Sequence, residues 1–183
     1  MRIVGGKYGG RIIKGPKAAD SSKTRPTSDR VRESIFNIIS PQIKQAAFLD
    51  LYAGTGAVGI EALSRGAKCL FAVEKDRHLV HLIKENLASL GEEAVILPID
   101  VFRAINELHK KGLLFDLVFA DPPYHLMVAS KLTELVEPLL AEGGLLIIEH
   151  SLGEVISQNN LEKLKHYCYG DSVISLYQRR YQL

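Results

Sequence analysis

The sequence predicts a doubly wound α/β domain whose mostly parallel, seven-stranded sheet is closed along one edge by an antiparallel C-terminal hairpin. Three observations predict it. From Ala47 onward, short apolar runs alternate with segments of helical periodicity, the order that builds a parallel sheet covered by helices on both faces. Leu114–Ala120 is a nearly continuous apolar run, as expected of a strand buried on both faces. Past Leu145–Glu149 the helices stop, and Lys165–Tyr169 and Val173–Tyr181 flank Gly170-Asp171, which is the pattern of a hairpin.

Taken in order, Met1–Pro16 reads as a hairpin or loop pair, with Ile3-Val4 and Ile12-Ile13 placed around Gly5-Gly6 and Gly9-Gly10. Lys17–Thr27 is polar and matches no regular pattern. Ser28 or Asp29 can then cap a helix running to about Ile39, with Val31, Ile35, Phe36, Ile38 and Ile39 as its apolar face. Strands follow at Ala47–Tyr52, Cys69–Glu74, Ala94–Pro98, Phe115–Ala120 and Leu145–Glu149. Helices lie between them near Val58–Arg65, Arg77–Leu90, Val101–Lys111 and Val128–Leu140. The second is the best marked: Asp76 caps it, Leu79, Ile83, Leu87 and Leu90 line one side, and Gly91 ends it. Neither a repeat nor a linker divides the chain. It is expected to form one domain, residues 28–183 being the core and 1–27 a small basic extension.

At 183 residues with 46% apolar and 24% charged side chains, the chain has the composition of an ordinary globular protein. Its apolar runs are too short for a membrane span, and the glycine-rich, basic start lacks the apolar stretch of a secretory signal. Cys69 and Cys168 sit in apolar runs far apart, so reduced, buried thiols and a cytoplasmic location are expected. The net charge of +2 hides an asymmetry: residues 1–32 carry nine basic side chains against two acids, and the remainder carries 14 against 19. A basic end on a mildly acidic body suits a polyanionic partner touched at one place.

Phe48-Leu49-Asp50-Leu51-Tyr52 runs into Ala53-Gly54-Thr55-Gly56-Ala57-Val58-Gly59, a G-x-G-x-x-G turn between strand and helix that marks a nucleotide-type cofactor. Asp50 chooses among such cofactors. A carboxylate just ahead of the turn repels the pyrophosphate of a dinucleotide and favours a cation, and S-adenosylmethionine carries an ammonium and a sulfonium. Glu74, ending the next strand, can accept both ribose hydroxyls. Asp100, after the third strand, is placed to accept from an adenine amino group. Tyr52, Lys75 and Val101, adjoining these acids and the turn, complete the expected cofactor wall.

At the end of the fourth strand stands Asp121-Pro122-Pro123-Tyr124. Open α/β sheets bind ligands at that edge. Two prolines stiffen the loop and remove two donors, leaving carbonyl acceptors; an acid precedes them and an aromatic ring follows. An aromatic amine needs this combination. Its nitrogen is a poor nucleophile while the lone pair is delocalised into the ring. Oxygens of Asp121 and Pro122 accepting its two hydrogens would localise that pair, with Tyr124 stacked on the base. Asp121 is thereby expected to face both cofactor and substrate.

The strand-end acids resemble the class I methyltransferase pattern, and the ribose and adenine roles of Glu74 and Asp100 follow from that resemblance. The tetrapeptide resembles the (Asn/Asp/Ser)-Pro-Pro-(Tyr/Phe) motif of methyltransferases acting on amines of adenine, guanine, cytosine or glutamine. Arg2-Ile3-Val4-Gly5-Gly6, Gly10-Arg11 and the stretch from Arg25-Pro26-Thr27 to Ile35-Phe36-Asn37 resemble the bacterial family that methylates guanine N2 in 16S ribosomal RNA (RsmD-like), over essentially the whole chain. The resemblance implies a Rossmann-like fold, S-adenosyl-L-methionine as cofactor, and 16S rRNA within the assembled 30S particle as partner. The chain itself is expected to be a monomer. Arg2, Lys7, Arg11 and Lys14 are the expected phosphate contacts, while Arg25 and Arg32 could hold substrate or tie the extension to the sheet. An adenine-N6 methyltransferase and a non-catalytic RNA-binding factor remain alternatives. His78 and His81 lack a further ligand at metal-binding spacing, so no metal is expected; His125 reads as loop surface, and His150 is left open.

Overall fold

The computed structural model describes residues 1–15, 29–123 and 128–179. Its seven strands form one sheet in the order β3-β2-β1-β4-β5-β7-β6: β1 Ala47–Leu51, β2 Cys69–Val73, β3 Val95–Leu97, β4 Phe115–Ala120, β5 Leu140–Ser151, β6 Leu161–Tyr169 and β7 Ser172–Arg179. The first five are parallel, and β7 pairs antiparallel with both β5 and β6. Helices α1 Asp29–Ile38, α2 Ala57–Ser64, α3 Arg77–Leu90, α4 Val101–Lys110 and α5 Val128–Val136 cover the sheet. Along each central strand, alternate residues enter two separate cores. Phe48, Leu117, Phe119 and Ile147 pack with Ile35, Phe36, Ile60 and Ile83 on one face. Leu49, Val118, Ala120 and Ile148 pack with Val101, Ile105, Leu132 and Val136 on the other.

Local chemistry accounts for the element ends. Asp76 accepts from the backbone N–H groups of His78 and Leu79 at the start of α3, and Gly91 closes it at φ 70°. Asp100 caps α4 through Phe102 N. The fifth strand is longer than its apolar run suggests: it begins at Leu140, straight after a 3₁₀ turn at Glu137–Leu139. Its first part contains Gly143 at φ 71° and Gly144, whose absent Cβ would lie 3.0 Å from Phe115 O. These glycines accompany the register shift between Phe115 and Leu117, an irregularity that looks like a loop in sequence.

The N-terminal segment folds back on itself as a loop pair: an antiparallel Arg2–Ile12 bridge, with Ile3 N–H donating to Arg11 O and Ile13 N–H to Met1 O, encloses a 3₁₀ turn at Gly6–Tyr8. One further expectation is corrected. Cys69, at the start of β2, is half-buried, and Cys168 is exposed rather than buried, because β6 is the sheet edge and faces solvent along most of its length. Ser28 lies outside the described residues. Among the described residues, no helix is long and apolar enough to cross a membrane.

Candidate active site

The strand order reverses between β1 and β4, with β2 on one side and β5 on the other. Loops leaving the C-terminal ends of strands at such a switch point diverge and open a crevice. The glycine turn leaves β1 and the Asp121 loop leaves β4, and the two ends are neighbours, since Leu51 pairs with Ala120.

The glycines of the turn are required for two different reasons. Gly54 (φ 56°) and Gly56 (φ 80°) adopt left-handed backbone, which side chains disfavour. A Cβ on Gly59 would come within 2.7 Å of Leu70, so this position must be bare for α2 to approach β2. Tyr52, one residue ahead of the turn, is also left-handed at φ 62°. Strain in a non-glycine residue persists where the surroundings fix it, commonly at functional sites.

Asp50 is fully buried. Its Oδ2 accepts from Gly59 N at 2.9 Å, while Oδ1 has no hydrogen-bond partner among the described residues. Burial pushes this carboxyl up to about 7, against the Gly59 hydrogen bond, with Glu74 adding to the rise. A buried carboxylate with an unused oxygen suits a cationic ligand. Glu74 at the tip of β2 holds the turn: Oε2 accepts from Gly54 N at 2.9 Å and Oε1 from Asp76 N at 2.9 Å. Each oxygen retains a second lone pair for a hydroxyl. Between the tips of β2 and β3 lies a hollow lined by Tyr52, Glu74, Lys75, Asp100 and Val101, with Val73 and Ile99 as apolar floor. Burial, with Asp100 nearby, pushes the Tyr52 hydroxyl up to about 12, which keeps it a neutral donor. Apolar walls edged by the Glu74 and Asp100 carboxylates offer a nucleoside an apolar face and two separate acceptors, one for ribose hydroxyls and one for an amino group on the base. Asp100 thus both caps a helix and lines the hollow.

Asp121 is half-buried, Pro122 buried and Pro123 exposed; Tyr124 and His125 lie outside the described residues. His150, on β5, packs toward β7. Its Nε2 meets Ser175 Oγ at 2.8 Å and its Nδ1 meets Ser151 O at 3.0 Å, and burial lowers its basicity.

Of the basic residues, Arg2 and Arg11 are exposed; Arg11 donates to Ser89 O at 3.1 Å. Lys7 pairs with Glu92, and Lys14 with Glu85 at 3.3 Å. Arg32 is fully buried. It donates to Asp29 Oδ1 at 2.8 Å and to the Arg2 carbonyl, and lies 3.6 Å from Glu61. So placed, it has no surface to offer a phosphate; it ties the extension to the core. Arg25 lies outside the described residues.

Sequence reasoning missed the residues behind the cofactor turn. Glu61, fully buried on α2, accepts from Val4 N at 2.8 Å and Gly5 N at 2.7 Å and pairs with Arg65 at 2.9 Å. Asn86, buried on α3, accepts from Lys14 N at 2.8 Å and donates to Lys14 O and to the carbonyl of Thr55 in the turn. The N-terminal segment is therefore fastened to the rear of the cofactor loop. A polar residue within a helical run gives no sign in sequence of such distant partners.

A 3-2-1-4-5-7-6 sheet with its seventh strand antiparallel, a glycine turn after β1 and an acid at the tip of β2 define the class I methyltransferase fold. The chain belongs to the family described as Conserved hypothetical protein 95, which matches residues 1–178. Similar to it are the Ribosomal RNA small subunit methyltransferase D of Escherichia coli K12, 36% identical over 100% of this chain and 91% of that protein, and the protein of the same name from Haemophilus influenzae, 34% identical over 97% and 93%. The solved structure of a hypothetical protein from Thermus thermophilus is 32% identical with a TM-score of 0.81, covering 96% of this chain and 98% of that one. The Thermus thermophilus RsmC methyltransferase, solved with AdoMet and guanosine, shares the fold at a TM-score of 0.67 and 22% identity, over 87% of this chain and 44% of that one.

Proposed function

We propose that this chain transfers a methyl group from S-adenosylmethionine to the N2 amino group of a guanine in 16S ribosomal RNA, working as a cytoplasmic monomer on the assembled small subunit. One observation carries the reading: Asp121-Pro122 leaves β4 beside the β1 glycine turn, so amine acceptors and cofactor cradle share one crevice. The full-length relatives named small subunit methyltransferases support ribosomal RNA as the polymer.

The bound cofactor supplies an electrophilic methyl on a sulfonium. The chain supplies the rest. Glu74 and Asp100 hold the nucleoside, and Asp50 offers negative charge on the cationic side. The Asp121 carboxylate and the Pro122 carbonyl accept the two N2 hydrogens, turning the nitrogen lone pair out of the ring and fixing its line of attack. Tyr124 stacks on the base. The proton released from nitrogen passes to Asp121 or to water.

The test is methyl transfer from labelled cofactor to small subunits taken from cells lacking the gene, followed by nucleoside chromatography. N2-methylguanosine is expected. Asp121→Ala should lower turnover by about 100-fold or more with cofactor binding retained. Label in N6-methyladenosine would replace this reading with the adenine one, and undiminished methylation by Asp121→Ala would remove the carboxylate from the mechanism.

A further inference from the structure

Glu149 is a second carboxylate at the catalytic edge that the reaction as described leaves unused. It is buried, only 5% exposed, two residues before the end of β5. Ala120 pairs with Ile148, so Asp121, the first residue past β4, and Glu149, still within β5, both follow a registered pair on neighbouring parallel strands. Phe119 and Ile147 enter one core and Ala120 and Ile148 the other, so alternation returns Glu149 to the Phe119 and Ile147 side. His150, one residue on, lies on the opposite side against Ser175, consistent with this alternation.

Adjacent strands are about 4.8 Å apart, so two carboxylates in this relation meet one ligand edge together. They also repel each other, which N–H donors placed between them offset. The Watson–Crick edge of guanine carries such donors side by side: the N2 amino group and N1–H. Adenine, with its amine on C6, presents an N1 lone pair instead. We propose that Glu149 is a specificity-determining residue that accepts the N1–H of the guanine whose amine is held by Asp121 and Pro122. A carboxylate has about four acceptor positions, so a contact within the protein leaves room for this one. The inference rests on the guanine-N2 reading and deepens it, since acceptors at both positions select guanine and set a lone pair against a charge for adenine.

The test uses a substrate that keeps the 2-amino group and alters the rest of the Watson–Crick edge, at N1 and at position 6, so the N1 contact is read from the response of Glu149→Gln. Once the methylated guanine is located, small subunits are reconstituted from ligated 16S rRNA bearing guanine or 2,6-diaminopurine there. The analogue keeps the 2-amino group but has an unprotonated N1 and an amino group in place of O6. Wild-type chain should methylate guanine about 100-fold better in kcat/KM, the scale of a hydrogen bond to a charged group lost and a lone pair opposed. Glu149→Gln, which can donate from its amide, should lose at least about 10-fold on guanine and reverse the preference, with KM for the cofactor unchanged. Equal wild-type rates on the two substrates would overturn the proposal without recourse to a variant. A Glu149→Gln defect of equal size on both would also overturn it, marking a structural role. If the wild type forms N6-methyladenosine instead, the functional reading itself fails, and that outcome differs from either of these.

Discussion

Burial holds the Asp50 carboxyl near neutrality, about 7, which couples its proton both to folding and to the cofactor. Its folded value lies above the ordinary 3.8, so the folded chain binds the proton more tightly than the unfolded one. That contribution to stability is complete below about pH 4 and is lost as pH rises through 7. Asp50→Asn should raise the melting temperature of the cofactor-free protein at pH 8 and change it little near pH 4. The cationic cofactor favours the ionised form, so its affinity should rise about five- to tenfold between pH 6 and pH 7.5. Calorimetry across that range checks this; a flat wild-type profile, or one that Asp50→Asn leaves intact, contradicts it. At Glu74 the expectation is different, because both oxygens already hold backbone N–H groups of the turn. Glu74→Ala should weaken cofactor binding by about 10- to 100-fold, with turnover largely recovered at saturating cofactor; unchanged affinity would refute the ribose assignment. Asp50, Glu74, Asp100 and Asp121 were legible in sequence because each stands close to where an apolar run meets a turn or a cap. Glu61 and Asn86 were not, since their partners in the N-terminal segment are backbone groups more than 50 residues away, and Glu149 reads as the polar end of an apolar strand with no glycine turn or helix cap directly after it.

The segment Met1–Gly15 acts as a strap over α2 and α3, and its removal is not a simple loss of charge. Ile3 and Ile13 belong to the main core, and Glu61 satisfies two strap N–H groups while pairing with Arg32 and Arg65. Glu61→Ala would leave Arg32 buried beside no carboxylate of α2, a change that costs about 3–5 kcal/mol. In a chain of this size the melting temperature should fall by about 6–20 °C; a fall under about 2 °C would mean that water reaches Arg32 in its place. Deleting residues 1–15 should destabilise at least as much, so charge substitutions are the cleaner probe of RNA contact. The strap explains why α2 is buried along its whole length although a helix between strands normally keeps one wet face. Sequence periodicity registers the sheet side of a helix but not a cover arriving from elsewhere in the chain. Where local signals suffice, element bounds were legible to the residue: Asp76 and Gly91 delimit α3, and the apolar run of β4 ends at Asp121. The start of β5 was not, because Gly143 and Gly144 serve a register shift instead of a loop.

Over the whole molecule, the basic end expected from composition divides into two kinds of charge. Lys7 and Lys14 are more than half exposed, but each is paired to a carboxylate of the core, Glu92 and Glu85; the Lys7 ammonium is held above its usual range by Glu92 and Tyr8. Arg2 and Arg11 are exposed and pair with no carboxylate among the described residues. A phosphate meeting Lys7 or Lys14 also meets the partner acid, so the local field is nearly cancelled, whereas Arg2 and Arg11 present uncompensated charge. Binding to an RNA releases counterions in proportion to phosphates neutralised, and each contact contributes about 0.7–0.9 to the slope of log affinity against log salt. Arg2→Ala and Arg11→Ala should each reduce that slope by about this amount on small-subunit RNA between about 50 and 200 mM salt. Lys7→Ala and Lys14→Ala should change it less, since removing the ammonium also releases a carboxylate that repels the RNA at every salt concentration. Melting curves run alongside keep the comparison to folded protein. If all four substitutions lower the slope equally, the ion pairs open on binding and the whole strap faces phosphate. If none does, the RNA is held elsewhere, and the strap serves the cofactor loop alone.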